Sequence, residues 1–487
     1  MLAKGCKAAP VLLMMFLMSP LTQAAQSIWP AHSTPQSAMI ADYRTLSCTR
    51  EPPAPYTGSL RLESKYDQRD ASKSTLRSSP DANSEQIAKQ VKQFVGGLIY
   101  ASKRFQGAKK PQDANMALAC QDQWLQHWAE AGALLNPDAS GTGMAARKWA
   151  LAAMAGAVLL TQSAADGKLQ LNETQRSWFT RLGEQVIREY DPRRSTSGVY
   201  FNNHDYWAAW AVAATGMLVG RDDFIQWADG NLRRALAQAV RANNGNYAYL
   251  PLEVARSKLA ANYSQYALVP LVLLAESARA NNLPWSHDDQ QTLDQLASFA
   301  ARTVLAPGEL PELKGQPQAD VAPYKLAWLI PFLQRNPGHA LARQLYDSED
   351  GEVDNYSQLG GPIKAFYPHC PDQGADPWLP SPAFPSLAWP PCAWPALPTP
   401  PAKRCRSTRP WTPCPVSNAS SRSSSCASRC ARPWPSSRPS GHARPGAPAS
   451  ACSQCSRPRP AAGRSSHSST MACSAPSPVT RRTTRKW

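Results

Sequence analysis

Apolar positions recur at helical spacing through most of the chain between residues 84 and 334. In the clearest case, residues 84–105, Ile87, Val91, Phe94 and Leu98 follow one another at intervals of three or four. The same pattern predicts further helices over residues 114–134, 144–163, 173–190, 205–219, 222–242, 259–281, 288–305 and 322–334. Strand-like alternation of apolar and polar residues is nearly absent.

The predicted helices are joined by short loops that contain Gly and Pro, such as Ala306-Pro307-Gly308. Short connections favour antiparallel neighbours, so we predict an all-α domain that is either a bundle or a closed α/α ring. Periodicity alone leaves both architectures open. Most of the tryptophans in this stretch are expected in the core, with an aromatic-lined cleft as the minority role.

The first 25 residues have the pattern of a secretory signal. Lys4 and Lys7 form the charged start, residues 11–18 form the apolar stretch, and residues 22–25 form a small-residue cleavage region. The apolar stretch is too short to cross a bilayer, and we expect no membrane insertion of later segments. The mature protein is therefore expected in a bacterial periplasm.

From residue 371 onward the chain becomes rich in Pro, Ser, Arg, Cys and Trp. This stretch holds 16 of the 52 Lys and Arg but two of the 35 acidic residues, so it supplies most of the net charge of +17. The basic balance is therefore poor evidence for a nucleic-acid partner. We divide the chain into a signal at 1–25, a domain at 26–370 and a tail at 371–487. The proline density of the tail excludes regular packing, and we interpret it as either a disordered segment or a reading-frame artefact.

Two polar sets lie about fifty residues apart, each at the start of a predicted helix. Asn203 and His204 open the first helix, and Arg256 and Tyr263 are seven positions apart, a spacing that shares one face where a chain is helical. A guanidinium and an amide can neutralise a carboxylate, while an imidazole and a phenol can move protons. Each residue alone would more often be a cap or a packing contact. The set as a whole favours elimination of a sugar from an acidic polysaccharide.

Other chemistries lack their motifs in this sequence. No CxxC pair, zinc-spaced His/Cys cluster or acidic calcium loop is present, so we expect no metal. No glycine-rich phosphate loop or Gly-x-Ser-x-Gly elbow is present, and we expect no cofactor. A hydrolase would need two carboxylates about 5–10 Å apart. Glu253, beside the second polar set, leaves that alternative open.

Four stretches together resemble the alginate lyases of polysaccharide lyase family 5, the poly(β-D-mannuronate) lyases. They are Ser64-Lys65-Tyr66 with Ser74-Thr75-Leu76, Arg147 to Leu151, Asn202 to Val212, and Arg256 through Tyr263 to Tyr266. The likeness covers nearly all of residues 26–368 and none of the tail. It implies an α/α toroid that cleaves alginate by β-elimination.

The resemblance also implies roles for individual residues. The catalytic set would be Asn203, His204, Arg256 and Tyr263; the mobile lid would carry Lys65 and Tyr66; the sugar subsites would include Arg147, Trp207 and Tyr266; and Cys48 and Cys120 would form a disulfide. The sequence departs from the family at Asn262, where some members have His. That departure bears on subsite preference more than on the reaction.

Two assignments of the proton transfers remain open. In mannuronate the C5 proton and the C4 oxygen lie on the same face of the ring, so Tyr263 could take the proton and then donate it. This requires cationic neighbours to lower the pKa of the Tyr263 phenol, and His204 would then orient the substrate. In guluronate the two groups lie on opposite faces, which suits His204 as the base and Tyr263 as the acid. We favour the first assignment.

The leading hypothesis is a periplasmic alginate lyase that prefers polymannuronate. One alternative keeps the chemistry and changes the polymer to glucuronan or hyaluronan. Another is a non-catalytic protein that binds exopolysaccharide or belongs to its export machinery. In the leading case we expect a monomer with alginate as its substrate and no nucleic-acid partner, and we keep the export machinery as a further candidate partner.

Overall fold

Helices account for nearly all regular structure in the described part of this computed structural model, residues 24–70, 72–79, 81–195 and 200–368. They are α1 Pro35–Ala38, α2 Ala82–Gln106, α3 Pro111–Glu130, α4 Gly141–Ala164, α5 Glu173–Ser195, α6 Asn203–Val219, α7 Asp222–Ala237, α8 Pro251–Val254, α9 Ala260–Ala280, α10 His287–Leu305, α11 Leu329–Arg335 and α12 Ala340–Ser348. Strands β1 Val240–Arg241 and β2 Ala248–Tyr249 pair antiparallel. The predicted all-α class is confirmed.

Successive long helices alternate between two layers. The inner layer contains α2, α4, α6, α9 and α11, and the outer layer contains α3, α5, α7, α10 and α12. Neighbours across the layers run antiparallel: Phe94 of α2 stacks on Trp128 of α3, whereas Leu98 accepts a hydrogen bond from the earlier residue Gln121. This alternation is that of an α/α toroid, the architecture that the resemblance implies.

The inner helices α4, α6 and α9 are apolar on all sides and are buried along most of their length. A helix that is hydrophobic all round is typical of a core position. Small residues let other segments approach closely: a Cβ on Gly156 of α4 would lie 2.3 Å from the main-chain oxygen of Leu359. The turn at 357–361 is therefore seated against α4, which fixes the preceding Tyr356.

The start of α6 is set by a capping box. The Asn202 side chain accepts from the His204 N–H, and the Asp205 carboxylate accepts from the Asn202 N–H. Asp205 also forms an ion pair with Arg193 of α5, with an N–O distance of 2.7 Å. The helix predicted to begin at residue 205 thus begins at Asn203, and both polar residues lie in its first turn.

A disulfide between Cys48 and Cys120, with Cα atoms 4.7 Å apart, ties the irregular N-terminal segment to α3. Two indoles of α3 hold the same segment: Trp124 donates to the main-chain oxygen of Arg50, and Trp128 donates to that of Pro53, each across 2.8 Å. The disulfide is the pairing implied by the resemblance.

Two predicted helices end earlier or start later than expected. The helix predicted over 222–242 ends at Ala237, because β1 pairs with β2 across a tight turn with Gly245 at φ +70°. The segment 322–334 divides into a 3-10 turn, Pro323–Leu326, and the short helix α11. Helix α12 was not predicted.

One helix among the described residues, α4, is long and apolar enough to cross a membrane, but most of it is buried inside the protein, as in a core helix. The predicted signal up to residue 23 and the tail at 371–487 lie outside the described residues.

Candidate active site

The N-terminal ends of α4, α6 and α9 lie side by side. Lys148 of α4 contacts His204 of α6, and Trp207 of α6 donates across 3.0 Å to the main-chain oxygen of Tyr266 on α9. The loop at 64–77 reaches the same end, because the hydroxyl of Tyr66 lies 3.5 Å from that of Tyr263. Helix N-termini favour anions, so this end of the inner layer suits an acidic ligand.

Glu253 of α8 holds Asn203 in a fixed orientation. The Asn203 main-chain N–H and its side-chain amide each donate to the Glu253 carboxylate across 2.7 Å. Asn203 Oδ1 is buried and has no hydrogen-bond partner among the described residues. Because an amide nitrogen carries two hydrogens, one remains for a ligand. Asn203 is therefore a pre-oriented amide at the start of α6.

Burial raises the pKa of the Glu253 carboxyl to about 7, although the hydrogen bonds from Asn203 and the charge of Arg256 lower it. The residue is only 1% exposed, and both carboxylate oxygens are occupied by Asn203. Glu253 therefore does not face a ligand, and it cannot serve as one of the paired acids of a glycoside hydrolase.

His204 is partly exposed, whereas every other residue of α6 is buried. Its Nδ1 lies 3.0 Å from Lys148 Nζ, and its ring lies 5.7 Å from that of Trp149 between centroids. Burial lowers the pKa of the imidazole well below its ordinary value, and the positive charges of Lys148, Arg193 and Arg256 lower it further. His204 is thus a neutral imidazole at neutral pH.

Arg256 lies against Tyr263. The centre of its guanidinium is 3.8 Å from the centroid of the phenol ring, and its Nη2 donates across 3.1 Å to the main-chain oxygen of Lys73. In the part of the chain that the structure describes, Arg256 pairs with no carboxylate within 4 Å. Its charge is therefore available to a carboxylate of the ligand.

The expectation that the pKa of Tyr263 lies below its ordinary value is wrong for this structure. Burial and the hydrogen bond to Tyr66 raise the pKa of the phenol, and the charge of Arg256 only partly opposes them. Desolvation exceeds the attraction of one cation, so Tyr263 is protonated at neutral pH.

The loop at 64–77 is a pinned turn that carries two predicted ligands. Tyr66 bridges to Leu76, and the Asp70 carboxylate accepts from the main-chain N–H groups of Ser72 and Ser74. Lys65 is exposed, with its Nζ 5.1 Å from the centroid of the Tyr66 ring. The structure thus places Tyr66 against Tyr263, with Lys65 beside it.

The aromatic residues differ in their access to a ligand. Tyr266 is partly exposed, and its ring lies 6.2 Å from that of Tyr263 between centroids. Trp207 is fully buried beneath Tyr266 and also packs against Tyr356. Its predicted place on the subsite surface is therefore wrong, and it supports Tyr266 and Tyr356 from below.

Arg147 also lies away from the subsite surface predicted for it. It is fully buried, and its Nε donates across 2.8 Å to the main-chain oxygen of Leu134. The guanidinium also bonds to the main-chain oxygen of Asn136 and pairs with Glu189 of α5. Through these contacts the guanidinium joins α4 to α5 and to the loop after α3, so the role of Arg147 is structural.

The sequence alone gave no role to three residues near the site: Lys148, Lys325 and Tyr356. Lys325 Nζ donates across 2.6 Å to Asn262 Oδ1, and the Asn262 amide donates to the main-chain oxygens of Ala319 and Asp320. In the sequence, the signal that pointed towards Lys325 was Asn262, where the chain departs from the family. It docks the loop that carries Lys325.

No group of three or more His, Cys, Asp or Glu that could hold a metal occurs among the residues that the structure describes. The ligands that the site offers are instead an amide, an imidazole, a guanidinium and phenols. This set suits a carboxylate-bearing sugar.

The sequence profile of one protein family, described as "Alginate lyase", matches residues 61–310. This range contains all four residues of the predicted catalytic set. The chain belongs to the alginate lyase family.

Relatives support this membership over most of the described region. An alginate lyase of Cobetia marina is 30% identical over 335 residues, which cover 66% of this chain and 86% of the relative. An alginate lyase of Pseudomonas aeruginosa is 31% identical over 327 residues, covering 65% of this chain and 84% of the relative.

Solved structures support the fold. Alginate lyase A1-III of Sphingomonas species A1 aligns with a TM-score of 0.50 and 18% identity, covering 72% of this chain and 98% of that one. A substituted form of A1-III with a bound tetrasaccharide aligns with a TM-score of 0.51 and 19% identity, covering 69% and 93%. This family member thus shares the architecture of an alginate lyase.

Proposed function

We propose that this lyase cleaves alginate by β-elimination, prefers polymannuronate, and acts in the periplasm. The observation that carries the proposal is the Arg256–Tyr263–Tyr66 cluster beside Asn203 and His204. The centre of the Arg256 guanidinium lies 3.8 Å from the centroid of the Tyr263 ring, and the hydroxyls of Tyr263 and Tyr66 lie 3.5 Å apart. This cluster brings together a cation that can bind a sugar carboxylate and a phenol that can move a proton.

The first task of the site is to hold the carboxylate of the reacting sugar. Removal of the C5 proton builds negative charge on a group that is already charged. Arg256, the Asn203 amide and His204 would share that charge, and removal of one such group typically costs about 100- to 1000-fold in rate. Because Glu253 fixes Asn203 in advance, the amide needs little reorganisation during the reaction.

The second task is the proton transfer. The phenolate of Tyr263 takes the C5 proton, and the C5–H electron pair moves into the sugar carboxylate as an enolate. That pair then forms the C4–C5 double bond as the C4–O bond breaks, and the departing oxygen takes the proton from Tyr263. One product has an unsaturated uronate at its end, and the other has a new reducing end. A single residue suffices when the C5 proton and the C4 oxygen share a face, as in mannuronate.

The proposal of an exported protein has separate support. The disulfide between Cys48 and Cys120 persists in oxidising compartments such as the periplasm. The signal pattern of residues 1–25 points the same way.

The experiment is a substrate panel with one substitution and its control. The wild-type protein is mixed with polymannuronate, polyguluronate and glucuronan without added metal, and the ultraviolet absorbance of the unsaturated product is followed. We expect the fastest rise with polymannuronate, and no rise for Tyr263→Phe. Tyr100→Phe, which removes an exposed hydroxyl on α2, should retain full activity. No rise with any polyuronate would refute the proposed function, and a faster rise with polyguluronate would refute the preference.

A further inference from the structure

Lys148 is a fully buried lysine that pairs with no carboxylate among the described residues. Its Nζ lies 4.8 Å from the centroid of the Tyr190 ring and 5.1 Å from that of Trp149. Burying an ammonium group without a carboxylate is costly, because the lost hydration is not replaced by an ion pair. The cost points to a role for Lys148 beyond packing.

The hydrogen-bond partners of Lys148 are both on His204. Lys148 Nζ lies 2.7 Å from the main-chain oxygen of His204 and 3.0 Å from its Nδ1. The carbonyl oxygen can only accept. Burial lowers the pKa of Lys148 well below its ordinary value, and the charge of Asp205 opposes that shift. In its ammonium form the side chain has three hydrogens and no lone pair, so in that form its contact with Nδ1 also requires Nδ1 to accept.

The acceptor at Nδ1 determines where the imidazole proton lies. A neutral imidazole has one N–H and one lone pair, so a lone pair at Nδ1 leaves the proton on Nε2. Nε2 lies on the far side of the ring from Lys148, and it has no hydrogen-bond partner in the part of the chain that the structure describes. The free side of His204 therefore presents a donor.

We propose that Lys148 is a positioning residue that holds His204 in the tautomer with its proton on Nε2. This inference rests on the proposed function, and it deepens that function by separating the two assignments of the base. A His204 that presents N–H can donate to the sugar carboxylate, but it has no lone pair to take the C5 proton. Tyr263 is then the group that takes it.

The charged surroundings support a neutral imidazole. Asp205, the nearest acidic group in the first turn of α6, is already paired with Arg193 of α5. Arg256 lies on the segment before α9, and its charge also lowers the pKa of the imidazole. Glu253 of α8 is occupied by Asn203. No carboxylate among the described residues is therefore free to stabilise an imidazolium at this position.

The tautomer can be measured without substrate, so the result does not depend on activity. The protein is labelled with ¹⁵N in its eight histidines, and long-range ¹H–¹⁵N spectra distinguish a protonated from an unprotonated ring nitrogen. The His204 signals are assigned by their loss in His204→Gln. We expect His204 to be neutral with its proton on Nε2 at pH 7. A proton on Nδ1 in the wild-type protein would overturn the inference.

Lys148→Met tests whether the lysine enforces this state. Methionine fills a similar volume without a donor, so we expect a folded protein in which the Nδ1–H tautomer becomes detectable and the His204 pKa rises. Lys168→Met is the matched control, since Lys168 donates across 2.9 Å to the main-chain oxygen of Ser37, outside the site. A folded Lys148→Met protein with an unchanged tautomer and pKa would show a purely structural role and refute the inference.

Two substitutions of His204 test the donor by kinetics. The amide nitrogen of Gln can stand near the position of Nε2 and donate, whereas Ala has no donor. If His204 acts as a donor, His204→Gln should retain at least about tenfold more kcat than His204→Ala, a partial rescue of the about 100- to 1000-fold loss typical of one missing donor. Equal loss in the two variants would contradict the donor role.

Discussion

Glu253 binds Asn203 at two points, the main-chain N–H and the side-chain amide, each across 2.7 Å. Through this pair, a buried carboxylate on the short helix α8 sets the orientation of an amide in the first turn of α6. Asn203 occupies both oxygens of the carboxylate, whereas the amide keeps one hydrogen for a ligand. The consequences can be measured as activity and as stability.

Glu253→Gln should lower kcat on polymannuronate by about 10- to 100-fold, somewhat less than the loss of a charge-stabilising donor itself. Glutamine replaces one of the two acceptor oxygens with an NH2 group, so one of the two bonds from Asn203 is lost and the amide loses its fixed orientation. Steady-state kinetics measure the effect. Glu312→Gln, which alters a carboxylate bonded to Tyr247, is the control and should leave kcat unchanged. Unchanged kcat in Glu253→Gln would contradict the role of the pair.

The same carboxylate should make stability depend on pH. Burial raises the pKa of Glu253 from an ordinary 4.5 to about 7, so between these values the folded protein binds a proton that the unfolded chain has lost. Stability contributed by this group is therefore greatest at acidic pH and falls as pH rises towards 7, by at most about 1.4 kcal/mol per pH unit. Denaturant titrations from pH 5 to 7 measure the slope. Glu253→Gln should flatten it, and an identical slope in the two proteins would contradict the assignment.

The pH dependence of kcat/KM should report the ionisation of Tyr263. Burial and the bond to Tyr66 raise the pKa of its phenol, so the reactive phenolate is a minor species at neutral pH. Activity should then rise by about tenfold per pH unit above neutrality until another group titrates. Tyr66→Phe removes one cause of the raised pKa and should move the rise to lower pH. A flat profile would favour His204 as the base.

Lys325 and Lys65 should together bind a sugar carboxylate. Burial and, secondly, the charge of Lys65 lower the pKa of Lys325, as expected for two cations near one another. A carboxylate between them would relieve that repulsion. We expect Lys325→Gln to raise KM for polymannuronate about three- to tenfold, a free-energy change of roughly 1 kcal/mol, with little change in kcat.

The control for Lys325 is Lys314→Gln, which alters an exposed lysine of the neighbouring loop. Its KM should match that of the wild-type protein. A KM for Lys325→Gln equal to that of this control would remove Lys325 from the substrate site.

The sequence predicted the inner and outer helices well, because their apolar spacing is strong at positions such as Ile87 and Phe94. It could not predict the end of α7 at Ala237, since that end depends on pairing between β1 and β2, which local periodicity does not contain. The starts of helices were also displaced. The capping box of Asn202 and Asp205 moved α6 back to Asn203.

For the site, the sequence identified residues whose chemistry is evident from their type and order, such as His204 and Tyr263. It misplaced Arg147 and Trp207 because a motif does not show which side of a helix is buried. It gave Lys148 no role, because the proposed role of Lys148 depends on contact with His204, which lies 56 residues away along the chain. The raised pKa of Tyr263 likewise depends on burial, which only the fold determines.

The most direct test of the proposed active site is a crystal structure of Tyr263→Phe with a bound mannuronate tetrasaccharide. We predict that one sugar carboxylate lies within about 3 Å of Arg256, the Asn203 amide and His204 Nε2. The C5 proton and the C4 oxygen of that sugar should both face the ring at position 263. A sugar bound with its carboxylate away from these three groups, or with C5 facing His204, would contradict the proposed mechanism.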